Sequence, residues 1–183
     1  MKIGVYGSAA GSIPAELNKK AGAIGRQIAV KGHTLVTGAC PGLPYEAVLG
    51  AQEAGGECLG FSPAVNLNAH IQKDKFPTEG FTKLIFIPKD FIYADNPLIC
   101  RKYRNVFSVA EIDAAIFISG RTGTMNEFTI AYDLGKKIGI LKNSGGAADG
   151  AIQVLLKNLG KETGAKIIYE ADPISLVDKL IGL

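Results

Sequence analysis

The stretch from Asp113 to Tyr132, DAAIFISGRTGTMNEFTIAY, constrains the fold more than any other part of the chain. Its apolar run, Ala114 to Ile118, is too short to span a membrane and stops at a cluster of small residues, as a buried parallel strand does. A tight loop follows, Gly120-Arg121-Thr122-Gly123-Thr124, and then a helix expected to carry Glu127 in its first turn. Glycine lets the backbone turn sharply and lets peptide N–H groups approach a ligand with no Cβ in the way. A helix start adds unpaired N–H donors and a partial positive charge, which together favour an anion. A phosphate is the natural guest. The loop is not a Walker A motif, since no Gly-Lys-Ser/Thr follows, and it is not a full G-x-G-x-x-G.

The same strand–loop–helix unit recurs along the chain. Ile3 to Tyr6 predicts the first strand, with Gly7-Ser8-Ala9-Ala10-Gly11 after it. Pro14 opens a helix whose apolar face is Leu17, Ala21, Ile24 and Ile28. His33 to Thr37 predicts the second strand, followed by the loop Gly38-Ala39-Cys40-Pro41-Gly42 and a helix from Pro44. Cys58 to Phe61 and Leu84 to Ile87 predict strands three and four, with a long irregular segment from Ala64 to Gly80 between them. Asn96-Pro97 starts a helix to about Ala110, with Leu98, Tyr103, Val106, Phe107 and Ala110 as its expected buried positions. After Tyr132 come a strand at Ile138 to Leu141, a flexible loop from Asn143 to Asp149, a helix from Gly150 to Leu159 and a strand at Lys166 to Tyr169. A last helix is capped by Asp172-Pro173.

Strands alternating with helices at this spacing predict an α/β fold, a single Rossmann-like doubly wound parallel sheet of about seven strands with helices on both faces. Residues 1–183 read as one domain, without repeat or linker. In such sheets ligands bind beyond the carboxyl ends of the strands, at the switch point. The loops after strands one, two and five share that edge, which makes Gly7, Ser8, Gly38, Gly120, Arg121, Thr122, Gly123 and Thr124 the candidate phosphate or nucleotide contacts.

Composition excludes several classes. A net charge of +3 with scattered lysines offers no nucleic-acid stripe. No apolar run is long enough to cross a bilayer, and MKIGVYG reads as a strand without the charged and apolar regions of a signal peptide. Cys40, Cys58 and Cys100 stand far apart with no C-x-x-C, which points to a reducing, cytoplasmic setting and to neither disulfides nor a metal site. No lysine reads as a cofactor lysine and no cofactor is called for; Lys102 and the Lys136-Lys137 pair read as solvated, and His70 as polar surface.

These residues resemble the lonely guy family of cytokinin-activating nucleoside 5′-monophosphate phosphoribohydrolases and their bacterial relatives. The family's mark is P-G-G-x-G-T-x-x-E after a strand, with an upstream arginine in R-K or R-N. Ser119 to Glu127, SGRTGTMNE, lines up with the loop, and Arg104-Asn105 lies at the family's spacing before it. KIGVYGS and TGACPGL look like the family's first two strand ends, so the resemblance spans most of the chain. The R-N form is similar to the branch that includes molybdenum-cofactor carrier proteins. Ser119, Arg121 and Asn126 depart from the pattern, replacing a proline, the second glycine and a common acidic residue.

The resemblance implies that Arg104 and Glu127 are a catalytic pair and Asn105 a nucleotide contact, with a nucleotide or nucleotide-like small molecule as ligand and a homodimer as the assembly. It implies hydrolysis of an N-glycosidic bond, or in the carrier branch binding without turnover. The residues alone leave alternatives. T-x-x-E from Thr124 to Glu127 is also a capping box, and by pattern alone that reading leads. Arg101, one turn before Arg104, is a second candidate arginine, and a serine placed as Ser8 is, after a strand, more often a turn residue or helix cap than a phosphate contact.

Overall fold

A computed structural model describes residues 1–183. Its strands are β1 Lys2–Gly7, β2 Thr34–Thr37, β3 Cys58–Phe61, β4 Lys83–Ile85, β5 Ala114–Ile118, β6 Lys137–Leu141 and β7 Lys166–Glu170. Its helices are α1 Ala15–Val30, α2 Leu43–Glu53, α3 Pro97–Ala110, α4 Thr122–Asp133, α5 Ile152–Leu159 and α6 Pro173–Ile181. All strand pairs are parallel, in the order β4-β3-β2-β1-β5-β6-β7. The order reverses between β1 and β5, which run side by side from Ile3 opposite Ala114 to Gly7 opposite Ile118. That reversal is the switch point of a doubly wound Rossmann-like sheet.

Alternation along each strand splits the core in two. Ile3 and Val5 of β1 with Ala114, Ile116 and Ile118 of β5 face α1, α2 and α6. Tyr6, Ala115 and Phe117 face the other way, onto Val109 of α3, Phe128 and Ala131 of α4 and Ile152 of α5. Both sheet faces are therefore covered, as continuous apolar strands require. Helices α1 and α2 approach closely because glycines lie at their contact: a Cβ on Gly25 would sit 1.8 Å from the Ala47 carbonyl oxygen. None of the helices is long and apolar enough to cross a membrane.

Three sequence-based expectations are corrected here. Helix α3 buries Cys100, Asn105, Ser108 and Val109, whereas Leu98, Val106, Phe107 and Ala110 are exposed and Tyr103 half-buried. Its inner face is small and polar because it serves the strand ends, and its apolar stripe looks outward. His70 is fully buried, in a π-helical turn Ala69–Lys73, where its ring nitrogens meet Ser62 Oγ at 2.8 Å and the Pro77 carbonyl at 3.0 Å. Lys136 is not freely solvated either: its Nζ donates to the Ala110 and Ile112 carbonyls at and just after the end of α3. Smaller shifts are at element ends, as where a π-helical turn Ala147–Ala151 leads into α5.

Candidate functional site

The loops after β1, β2 and β5 and the start of α3 enclose a cleft of about 640 Å³ at the carboxyl edge of the sheet. Helix α4 begins at Thr122 with Arg121 as its N-cap, and no side chain caps it. Glu127 therefore lies in the second turn, and the capping-box reading of Thr124 and Glu127 fails. The unpaired first-turn N–H groups of Thr122, Gly123 and Thr124 remain at the cleft. A Cβ on Gly123 would meet nothing within 4 Å, so that side of the loop is open.

The loop itself is held from behind. Ser8 Oγ accepts the Gly120 N–H at 3.0 Å and donates to Ser119 Oγ at 3.2 Å. Ser144 Oγ accepts the Ser119 N–H at 2.8 Å, and the Ala147 and Ala148 N–H groups donate to the Gly120 and Ser119 carbonyls. Gly120 thus spends its donor inside the protein, and the donors left for a ligand begin after it. The two departures in the loop have physical readings. Ser119 adopts φ +55°, which proline, fixed near −65°, cannot take. Arg121 is extended at φ −128°, a backbone open to any residue, so no glycine is needed there. Its side chain is exposed at the cleft wall.

At the cleft floor Arg104 Nη1 donates to Glu127 Oε1 at 3.1 Å, with 11% and 8% of the two side chains exposed. Asn105 is buried beside them. In the amide orientation that satisfies both its ends, its nitrogen donates to Glu127 Oε1 at 3.2 Å and to the Arg101 carbonyl at 3.0 Å. Asn126 lies against the same amide, its Oδ1 2.9 Å away. Burial pushes the Glu127 carboxyl up to about 7, against the opposing pull of Arg104 and, more weakly, Lys102. Arg104 Nε is buried with no acceptor in the protein.

Gly38 makes this arrangement possible: a Cβ there would lie 1.6 Å from Arg104 Nη1. Gly7 likewise has a packing role, since its Cβ would meet the Ile118 carbonyl at 2.3 Å. Tyr6 stacks on Phe117, and its hydroxyl lies 2.6 Å from Ser108 Oγ; burial raises its phenol well above the usual range. Arg101, Lys102, Arg104 and Arg121 face the cleft against a single carboxylate, Glu127. Such a balance favours an anionic guest.

Every candidate residue from the sequence except Gly120 therefore lines one cleft, though Gly7, Ser8 and Gly38 also act on the protein itself, and Gly120 is held by Ser8 and Ala147. Sequence reasoning assigned Tyr6, Ser108 and Ser144 no part in the site, and Asn126 stood out only as a departure from the family loop. Of the other three, only Ser144 had a visible signal, its place in the loop Asn143 to Asp149.

The family model for the SLOG cluster4 family matches residues 1–177. The chain belongs to the SLOG cluster4 family. An uncharacterized protein of Archaeoglobus fulgidus is 32% identical to this SLOG cluster4 protein over 142 residues, covering 78% of this chain and 80% of that one. The molybdenum cofactor binding protein of Rippkaea orientalis has the same fold, with a TM-score of 0.72 at 24% identity over 98% of this chain and 96% of that chain. The molybdenum cofactor carrier protein of Chlamydomonas reinhardtii matches at a TM-score of 0.69 and 22% identity, over 100% of this chain and 99% of that chain.

Proposed function

We propose that this SLOG cluster4 protein binds a nucleoside 5′-monophosphate and hydrolyses its N-glycosidic bond, releasing free base and ribose 5-phosphate. The observation that carries this reading is the buried Arg104–Glu127 pair at the floor of a cationic cleft, beside the open start of α4. The phosphate sits on the N–H groups from Arg121 to Thr124, where dipole and donors favour an anion by on the order of 1 kcal/mol before specific contacts. Arg121, Arg101 and Lys102 add charge around it. The sugar then lies over Glu127.

As the bond from C1′ to the base nitrogen breaks, its electron pair leaves with the base and positive charge grows at C1′. Ionised Glu127 stabilises that charge and takes the proton from the water that adds to C1′. That proton then passes to the departing base nitrogen, so the base leaves neutral and the carboxylate is restored. A base with a pKa of about 7 is matched to proton transfer near neutral pH. The planar fork of Arg104 orients Glu127 and keeps donors for ribose oxygens. The exposed apolar strip of α3 supports a homodimer across that face.

One observation favours a second reading, a carrier that holds a nucleotide-like ligand such as molybdenum cofactor without turnover. Glu127 is already engaged by both Arg104 and Asn105, and the similar structures named above include a molybdenum cofactor carrier. Incubation with a panel of nucleoside monophosphates, followed by chromatography for free base, separates the two. Release of base supports the hydrolase; tight binding with no release transfers the conclusion to the carrier.

A further inference from the structure

Arg104 also lines a second, smaller cavity of about 180 Å³. Its other walls include Phe61, Ile85, Phe86, Ile87, Tyr103 and Phe107, so four aromatic rings border it. Tyr103 and Phe107 stack on each other with centroids 4.3 Å apart, and the outer face of Phe107 is half exposed. An apolar cavity of about 150 Å³ accepts a benzene ring, so this one holds a single planar ring system. Besides Arg104, Ser62 and the phenol of Tyr103 are the polar side chains in its lining, and the Ser62 hydroxyl is spoken for. The Pro77 carbonyl only accepts, so His70 Nε2 carries the proton and Nδ1 takes the Ser62 hydroxyl, which itself accepts the Ala64 N–H. The cavity therefore reads chiefly π-faces and shape.

We infer that this cavity is the subsite for the planar base of the ligand whose phosphate rests on α4, with the sugar passing over Arg104 between them. Arg104 belongs to both walls, so the two cavities adjoin at this residue, a cationic end and an aromatic end of the inferred site. The inference rests on the nucleotide reading above and adds to it: the ligand class is a purine or pyrimidine nucleotide held by stacking, with modest preference among bases.

Calorimetric titration of the full chain with AMP, CMP and ribose 5-phosphate tests it, in wild type and in Phe107→Ala. The truncation is expected to weaken AMP binding about tenfold while leaving ribose 5-phosphate unchanged. If Phe107→Ala melts early, Phe107→Leu keeps the apolar volume, removes the ring and carries the same comparison. Equal loss for AMP and ribose 5-phosphate, or no loss for AMP, overturns the base subsite while the phosphate site stands. Failure of all three probes to bind wild type overturns the nucleotide reading and the subsite with it.

Discussion

Replacing Glu127 by glutamine separates the charge of this side chain from its shape. Glutamine fills the same space and still offers an oxygen to Arg104 Nη1, so packing is unchanged. Glu127 titrates near 7 in the folded chain against 4.5 ordinarily. At about 1.36 kcal/mol for each pH unit, that gap is worth about 3 kcal/mol. A carboxyl with a raised folded pKa contributes stability below 4.5 and loses it as pH rises through 7. Glutamine mimics the protonated form at every pH. Glu127→Gln should therefore match wild type at about pH 4.5 and exceed it by up to about 3 kcal/mol at about pH 8, read by urea unfolding at both values. Turnover should move the opposite way, since only the ionised carboxylate faces the growing charge at C1′. A loss of on the order of a hundredfold in base release, with nucleotide binding retained, is the expected size. Near wild-type turnover in Glu127→Gln would refute the catalytic role. A variant destabilised by about 3–5 kcal/mol near pH 8 would refute the burial argument, because the carboxylate would then be the counter-ion that keeps Arg104 in place.

Other perturbations act through different contacts. Gly38→Ala should push Arg104 off Glu127 and cut turnover by on the order of a hundredfold, checked by kinetics on the folded variant. His70→Ala leaves the Ser62 hydroxyl proton without its acceptor and the Pro77 carbonyl without its donor in a buried site, so urea unfolding should show a loss of about 3 kcal/mol. Val106→Glu places a charge on the exposed strip of α3; sedimentation at micromolar concentration should show a dimer in wild type and a monomer in the variant.

The sheet was legible in the sequence because each strand is a short apolar run and most of the stops are marked by glycine or proline. The cleft was legible for the same reason: small residues after β1, β2 and β5 leave the strand ends open. What stayed hidden depends on distances between remote residues. The apolar stripe of α3 has a helical period, but periodicity does not say whether the stripe faces the sheet or the outside. His70 is buried because two partners in an aperiodic segment happen to bracket its ring. T-x-x-E forms a capping box only where Thr124 is itself the N-cap, and α4 starts earlier, at Thr122. Gly38 looks like an ordinary turn residue until Arg104 is seen to occupy the space its side chain would take.

Ser119 and Gly120 have all four of their backbone polar groups engaged by neighbouring loops, through Ser8, Ser144, Ala147 and Ala148. The frame behind the anion donors is thus complete before any ligand arrives. Little conformational entropy is left to lose on binding, which is where a mobile glycine loop would spend much of its affinity. A small anion with no sugar or ring attached should then meet a ready-made seat, and capture should be governed by diffusion and the cationic field of the cleft rather than by the slow closing of a flap.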